Sequence, residues 1–164
     1  MNKQFYSPDN GILTRMTDEK RHLLIGEIVM LMQHSLIHRF YHITDIDQLF
    51  LPPIHLNQFR TYRKGSDLIG LVTWGWFSQD VEDNYLSGKY TLKPHDWKSG
   101  KNLWLMDFLA PFGHAKHIAN DIKKNIHPNE LVKAFRIYKS GKPKKIWNLY
   151  GDNYLKNKKN SMIN

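Results

Sequence analysis

Residues 102–113, Asn-Leu-Trp-Leu-Met-Asp-Phe-Leu-Ala-Pro-Phe-Gly, decide the fold. They read as a strand over 102–109 that ends in a Pro-Gly turn, and from 114 to 126 the apolar period becomes helical, with Ile118, Ile122 and Ile126 inward. Strand alternation places Trp104, Met106 and Phe108 on one face and Leu103, Leu105, Asp107 and Leu109 on the other. Asp107 is then a carboxylate in an apolar row, which is costly unless it is paired or hydrogen-bonded. The strand–turn–helix order also sets the free N–H groups of a helix start at the carboxyl end of a strand, where anionic or thioester groups are commonly held.

Working upstream, residues 59–63 and 68–77 form a β-hairpin around the turn at 64–67, and a weak helix follows near 79–90. The segment at 94–100 is a loop by its Pro, Ser and Gly content. A helix over 18–33 starts at Thr17 with Asp18 and Glu19 in its first turn, and a short helix at 44–50 is expected to stop at Pro52-Pro53. Downstream, strands at 135–138 and 146–149 flank a turn at Gly141-Lys142-Pro143. Helices first, then strands with a helix between them, give an α/β or α+β layer fold around a central sheet of about five strands. The division is a loose arm at 1–16, a domain at 17–151 and a Lys/Asn-rich tail at 152–164, expected to be disordered.

At 164 residues, with 41% hydrophobic and 13% aromatic content, the chain is long enough for one domain with a proper core. The tryptophans, Trp74, Trp76, Trp97, Trp104 and Trp147, read first as core. Cysteine is absent, which removes disulfides, thiolate metal sites and Cys acyl-enzymes. No apolar leader or run of about 18 apolar residues occurs, so the expected location is the cytoplasm. Net charge is +9, but seven Lys against Asp152 alone within 139–164 leave only +3 for the first 138 residues.

Asp107 needs a partner. One reading is a structural salt bridge, with Arg136 on a neighbouring strand; the other is that Asp107 orients a histidine, as acids do in triads and dyads. Among nine His, His38 stands out because Ser35 precedes it by three residues between two apolar helices, although Ser35 also suits a simple N-cap. His34 with His38, and His114 with His117, have half-site metal spacing without HExxH or a Cys/His set, so no metal is expected. Neither GxxxxGK[ST] nor GxGxxG is present.

Ser35-Leu36-Ile37-His38-Arg39, Pro52-Pro53-Ile54-His55-Leu56-Asn57-Gln58-Phe59, Asp96-Trp97-Lys98-Ser99-Gly100 and Trp104-Leu105-Met106-Asp107-Phe108-Leu109-Ala110-Pro111-Phe112-Gly113 stand in the order and spacing of a known family. Over roughly residues 23–151 the chain resembles the RTX toxin-activating lysine acyltransferases, the haemolysin-activator family. The resemblance implies a GNAT-like, mostly antiparallel sheet flanked by helices. It also implies a cytoplasmic, homodimeric enzyme that moves a fatty acyl group from acyl carrier protein to the ε-amine of internal lysines of an RTX protoxin, with no bound cofactor. Its essential His matches His38, its essential Asp matches Asp107 and its nearby Ser matches Ser35, with Gly113, Phe112 and Arg136 as substrate- or acyl-binding positions.

On that reading His38 is either the base that takes the lysine proton or a covalent acyl acceptor, and Ser35 is a helper, because no Gly-x-Ser-x-Gly elbow surrounds it. Backbone N–H groups near Gly113 are expected to hold the oxyanion, and the apolar faces of the first helix and of the 102–109 strand to line the acyl channel. The competing classes are a basic nucleic-acid-binding module and a membrane-surface protein using the Lys-rich end. Neither accounts for an Asp107–His38 pair.

Overall fold

The structure, a computed structural model, describes residues 16–137 and 143–161, with the side chains of 136, 137, 143, 144 and 159–161 outside that description. Residues 1–15 of the expected arm at 1–16, and Gly141 and Lys142 of the expected Gly141-Lys142-Pro143 turn, therefore lie outside the described residues. Helix α1 (Asp18–Met32) opens where Thr17 accepts the N–H of Lys20, and it buries Leu24, Ile28, Leu31 and Met32. Next come a 3₁₀ turn at His38–Phe40, helix α2 (Ile43–Asp45), a π-helical turn at Ile46–Phe50 and helix α3 (Leu51–His55).

The helix therefore does not stop at Pro52-Pro53, as the sequence had led us to expect. The two prolines sit in the first turn of α3, where a missing N–H forfeits no helical bond. Strands β1 (Phe59–Lys64) and β2 (Asp67–Phe77) form the expected hairpin, and helix α4 (Gln79–Leu86) starts at Ser78, which accepts the N–H of Val81. Strand β3 (Asn102–Leu109) leads through a turn into helix α5 (Ala115–Asp121), continued as a π-helical turn at Ile122–Ile126. Strands β4 (Leu131–Ile137) and β5 (Pro143–Tyr150) and helix α6 (Tyr154–Ser161) complete the described chain.

Helix α6 corrects the expectation of disorder within the tail. Its entry is fixed by backbone bonds from Asp152 to Lys123 and from Asn153 to Pro128, beside an Asp152–Lys123 ion pair at 3.3 Å.

The five strands form one sheet in the order β1-β2-β3-β4-β5. All neighbours are antiparallel except β3 and β4, which run parallel and pair only at Trp104↔Lys133 and Leu105↔Ala134. Beyond Leu105 the two strands part. Glu82 of α4 holds the joined end: its carboxylate accepts the Trp104 indole N–H at 2.5 Å and the Lys133 ammonium at 2.6 Å.

One irregularity rearranges the faces of β3. The ladder passes from Thr73↔Asp107 directly to Trp74↔Leu105, so Met106 is an extra residue and β3 bulges there. Leu103, Leu105 and Phe108 consequently share the face that packs on Ile118 and Ile122. Leu109 joins Leu71 on the opposite face, under α1 and α3. Asp107, paired with Thr73, is on this second face too, so the single row of Leu103, Leu105, Asp107 and Leu109 expected from strict alternation does not exist. Among the described residues no helix is long and apolar enough to cross a membrane.

His127 follows the π-helical turn and is wedged edge-on against Trp74 and Trp76, with ring centroids 4.9 Å and 5.8 Å away. Its buried Nε2 finds no hydrogen-bond partner among the described residues, and burial pulls its pKa from 6.5 down to about 4. The unfolded chain therefore binds a proton below pH 6.5 that the folded chain refuses until about pH 4, and stability falls as pH drops through that window. Relative to His127→Phe, the wild-type chain should lose roughly 3 kcal/mol between pH 7 and pH 4 in denaturant titrations. A difference independent of pH would contradict this.

Candidate active site

The chain leaving α1 turns sharply, with Ser35 N–H bonded to Met32 O and Arg39 N–H to Ser35 O. Ser35 Oγ accepts the backbone N–H of His38 at 3.3 Å and lies 2.7 Å from His38 Nδ1. Ser35 therefore caps the turn and touches the imidazole at once. On its other side the ring meets Asp107, with Nε2 3.3 Å from Oδ1. His38 is 8% exposed and Asp107 5%, so each carries the other's polar groups away from bulk water.

Asp107 is held from β2. The fully buried Thr73 hydroxyl accepts the Asp107 backbone N–H at 3.1 Å and donates to Oδ2 at 3.4 Å, across the bulge that Met106 creates. A carboxylate only accepts, so Oδ1 favours the tautomer with the proton on Nε2. Nδ1 is then the basic nitrogen and receives the Ser35 O–H. The serine, histidine and aspartate form one line, from the end of α1 to the middle of β3.

A cavity of about 500 Å³ opens beside this line, where β3 and β4 part. Its walls are largely carbon, from Leu105, Phe108, Ala115, Ala119, Ala134 and Trp147, and His38, Tyr41 and Asp107 supply its polar end. The Tyr41 ring lies 5.0 Å from His38. Burial, then the Asp107 carboxylate, pushes the Tyr41 phenol above its usual pKa, and burial followed by Asp107 does the same to Tyr85. Both phenols are therefore neutral donors and acceptors at neutral pH.

Ser35, His38 and Asp107 are thus brought together. Phe112 and Gly113 do not line the cavity: Phe112 is half exposed with its ring 5.1 Å from His34, and Gly113 takes φ +83° in the turn before α5, whose Ala115 and Ala119 form the wall instead. Helix α1 contributes no lining either, because its apolar face is spent on Leu71 and Leu109. The Arg136 side chain, the expected salt-bridge partner, lies outside the described residues; among those described, Asp107 meets His38 and Thr73. Among the described residues no group of three His, Asp or Glu is placed to hold a metal ion.

Sequence reasoning missed Thr73 and Tyr41. Thr73 had a signal, as a lone hydroxyl residue in the run Leu71-Val72-Thr73-Trp74, and Tyr41 stands three residues beyond His38.

The family model described as the RTX toxin acyltransferase family matches residues 17–149. An uncharacterized protein, sll0720, of Synechocystis sp. is 40% identical over 121 residues, covering 73% of this chain and 82% of that protein. The lysine-acyltransferase RtxC of Vibrio cholerae is 35% identical over 104 residues, covering 63% of this chain and 68% of its own. The leukotoxin-activating lysine-acyltransferase LtxC of Aggregatibacter actinomycetemcomitans is 29% identical over 138 residues, covering 82% of each chain.

Thr73→Val keeps the shape of the side chain and deletes both bonds to Asp107. It should lower turnover about tenfold and stability by about 1 kcal/mol, and Thr73→Ser should restore most of the rate. Equal turnover in the valine and serine variants would deny Thr73 a positioning role.

Proposed function

The chain belongs to the RTX toxin acyltransferase family and is an acyltransferase, and from that premise we propose that it moves a fatty acyl group from the thioester of acyl carrier protein to the ε-amine of internal lysines of an RTX protoxin. The observation that carries this reading is the position of His38, between Ser35 and Asp107 at the polar end of an otherwise apolar cavity. A fatty chain needs a carbon-lined space, and its thioester carbon needs to stop beside a base. This cavity offers both.

A lysine ammonium, with its ordinary pKa near 10.4, must lose a proton before it attacks. His38 Nδ1 takes that proton, with the Ser35 hydroxyl in hydrogen-bond reach as its relay. The free amine attacks the thioester carbonyl carbon, the carbon–sulfur bond breaks, and the imidazolium returns its proton to the departing thiolate. The new amide nitrogen sheds its extra proton to solvent, so amide, thiol and one proton leave. Asp107 stays ionised throughout and stabilises the imidazolium through Nε2–H. Because Ser35 occupies Nδ1 in the resting arrangement, base catalysis fits this geometry better than a covalent acyl-imidazole.

The basic balance of the chain suits an acidic carrier protein, with the Lys-rich end as an accessory contact. Purified His38→Ala and Asp107→Asn variants should keep the wild-type circular dichroism yet transfer labelled acyl groups from carrier protein to a protoxin fragment on the order of 10³-fold more slowly. Full activity in either variant would end the dyad mechanism.

A further inference from the structure

A second cavity of about 300 Å³ adjoins Asp107 from the face of the sheet that carries α4, and it shares Tyr41, Leu105, Met106, Asp107 and Phe135 with the larger one. The two have different walls. The larger reaches the β3–β4 split along Ala115 and Ala119 of α5, whereas the smaller is bounded by Tyr85, Tyr90, Thr91, Leu92, Gln48 and Leu49. A reaction with two substrates needs two approaches that meet at one carbon, and these cavities meet at Asp107.

The smaller cavity also explains a motif that the His38 chemistry leaves unused. In Asp96-Trp97-Lys98-Ser99-Gly100, the Asp96 carboxylate accepts the Tyr90 hydroxyl at 2.9 Å and the Lys93 N–H at 2.8 Å, while Trp97 is fully buried. Ser99 Oγ donates to Asp96 O and accepts the Ser78 N–H, and the N–H groups of Ser99 and Gly100 both reach Trp76 O. A Cβ on Gly100 would lie 2.5 Å from the backbone of Phe77 and Ser78, so only glycine lets the loop seat there. The motif is a clamp that fastens the loop to the end of β2, and its product is a fixed wall of Tyr90, Thr91 and Leu92.

We propose that this smaller cavity is the channel for the acceptor lysine and that the Asp-Trp-Lys-Ser-Gly clamp builds its outer wall. This deepens the reading of the chain as a lysine acyltransferase and rests on it. Apolar and aromatic side chains suit four methylenes, tyrosine rings attract an ammonium, and the Asp107 carboxylate at the inner end draws it toward His38. Gln48, exposed at the rim, is where charge would act on an incoming cation.

Initial rates with acyl carrier protein as donor and a lysine-containing protoxin fragment as acceptor test this. Gln48→Arg should raise the KM for the fragment about tenfold and Gln48→Glu should lower it, with donor KM and acyl-length preference unchanged in both. In the other cavity, Ala119→Leu should shift the preferred acyl chain to a shorter one and leave the fragment's KM alone. The channel assignment is overturned if the Gln48 pair acts on the donor, if neither Gln48 variant moves the fragment's KM, or if Ala119→Leu moves it. A wild-type protein that consumes donor but acylates no lysine overturns the functional reading itself.

Discussion

Met106 is one residue too many for the ladder between β2 and β3, and β3 absorbs it by bulging. That local surplus turns Asp107 away from Leu103 and Leu105, toward the face where His38 waits in the 3₁₀ turn that follows α1. Without it the carboxylate would point into the largely apolar layer of Ile118 and Ile122, where its desolvation would be costly. The bulge gives Asp107 two partners instead, Thr73 across the ladder and His38 beyond it. The imidazole inherits its orientation from this arrangement and passes it on to Ser35.

The parting of β3 and β4 sets the space around that line. Two parallel pairs join the strands at Trp104 and Leu105, and Glu82 bonds to both Trp104 and its partner Lys133, so the closed end of the V is fixed by a buried charge with two donors. Past Leu105 the strands make no ladder, and the space between them is the site. The hydrogen bonds are concentrated at the joint, and the larger cavity lies at the opening. Asp107 lies two residues beyond the last pair, close enough to the joint to be rigid and far enough to be reached.

Much of this was legible in the residues. A lone carboxylate in an apolar strand called for a partner, and the Ser35–His38 spacing named a candidate; the structure brings all three together. The face of Asp107 was misread because the bulge has no local marker: Met106 is neither Gly nor Pro, and the insertion exists only against the register of β2. Pro52-Pro53 was read as a stop because proline forbids an interior helix position, yet a restarted helix has a first turn in which proline is welcome. The α5 wall of the larger cavity escaped sequence reasoning for a similar reason, since Ala115 and Ala119 face a gap between strands that is not a property of any one segment.

The proposed chemistry depends on the imidazole tautomer that Asp107 imposes. Nitrogen-15 NMR of histidine-labelled protein at neutral pH, with His38 assigned by its absence from His38→Ala, reads that tautomer directly. The expected result is a protonated Nε2 and an unprotonated Nδ1 in the wild-type chain, with that preference weakened or reversed in Asp107→Asn. A proton on Nδ1 in the wild-type protein, or a tautomer indifferent to Asp107→Asn, would contradict it.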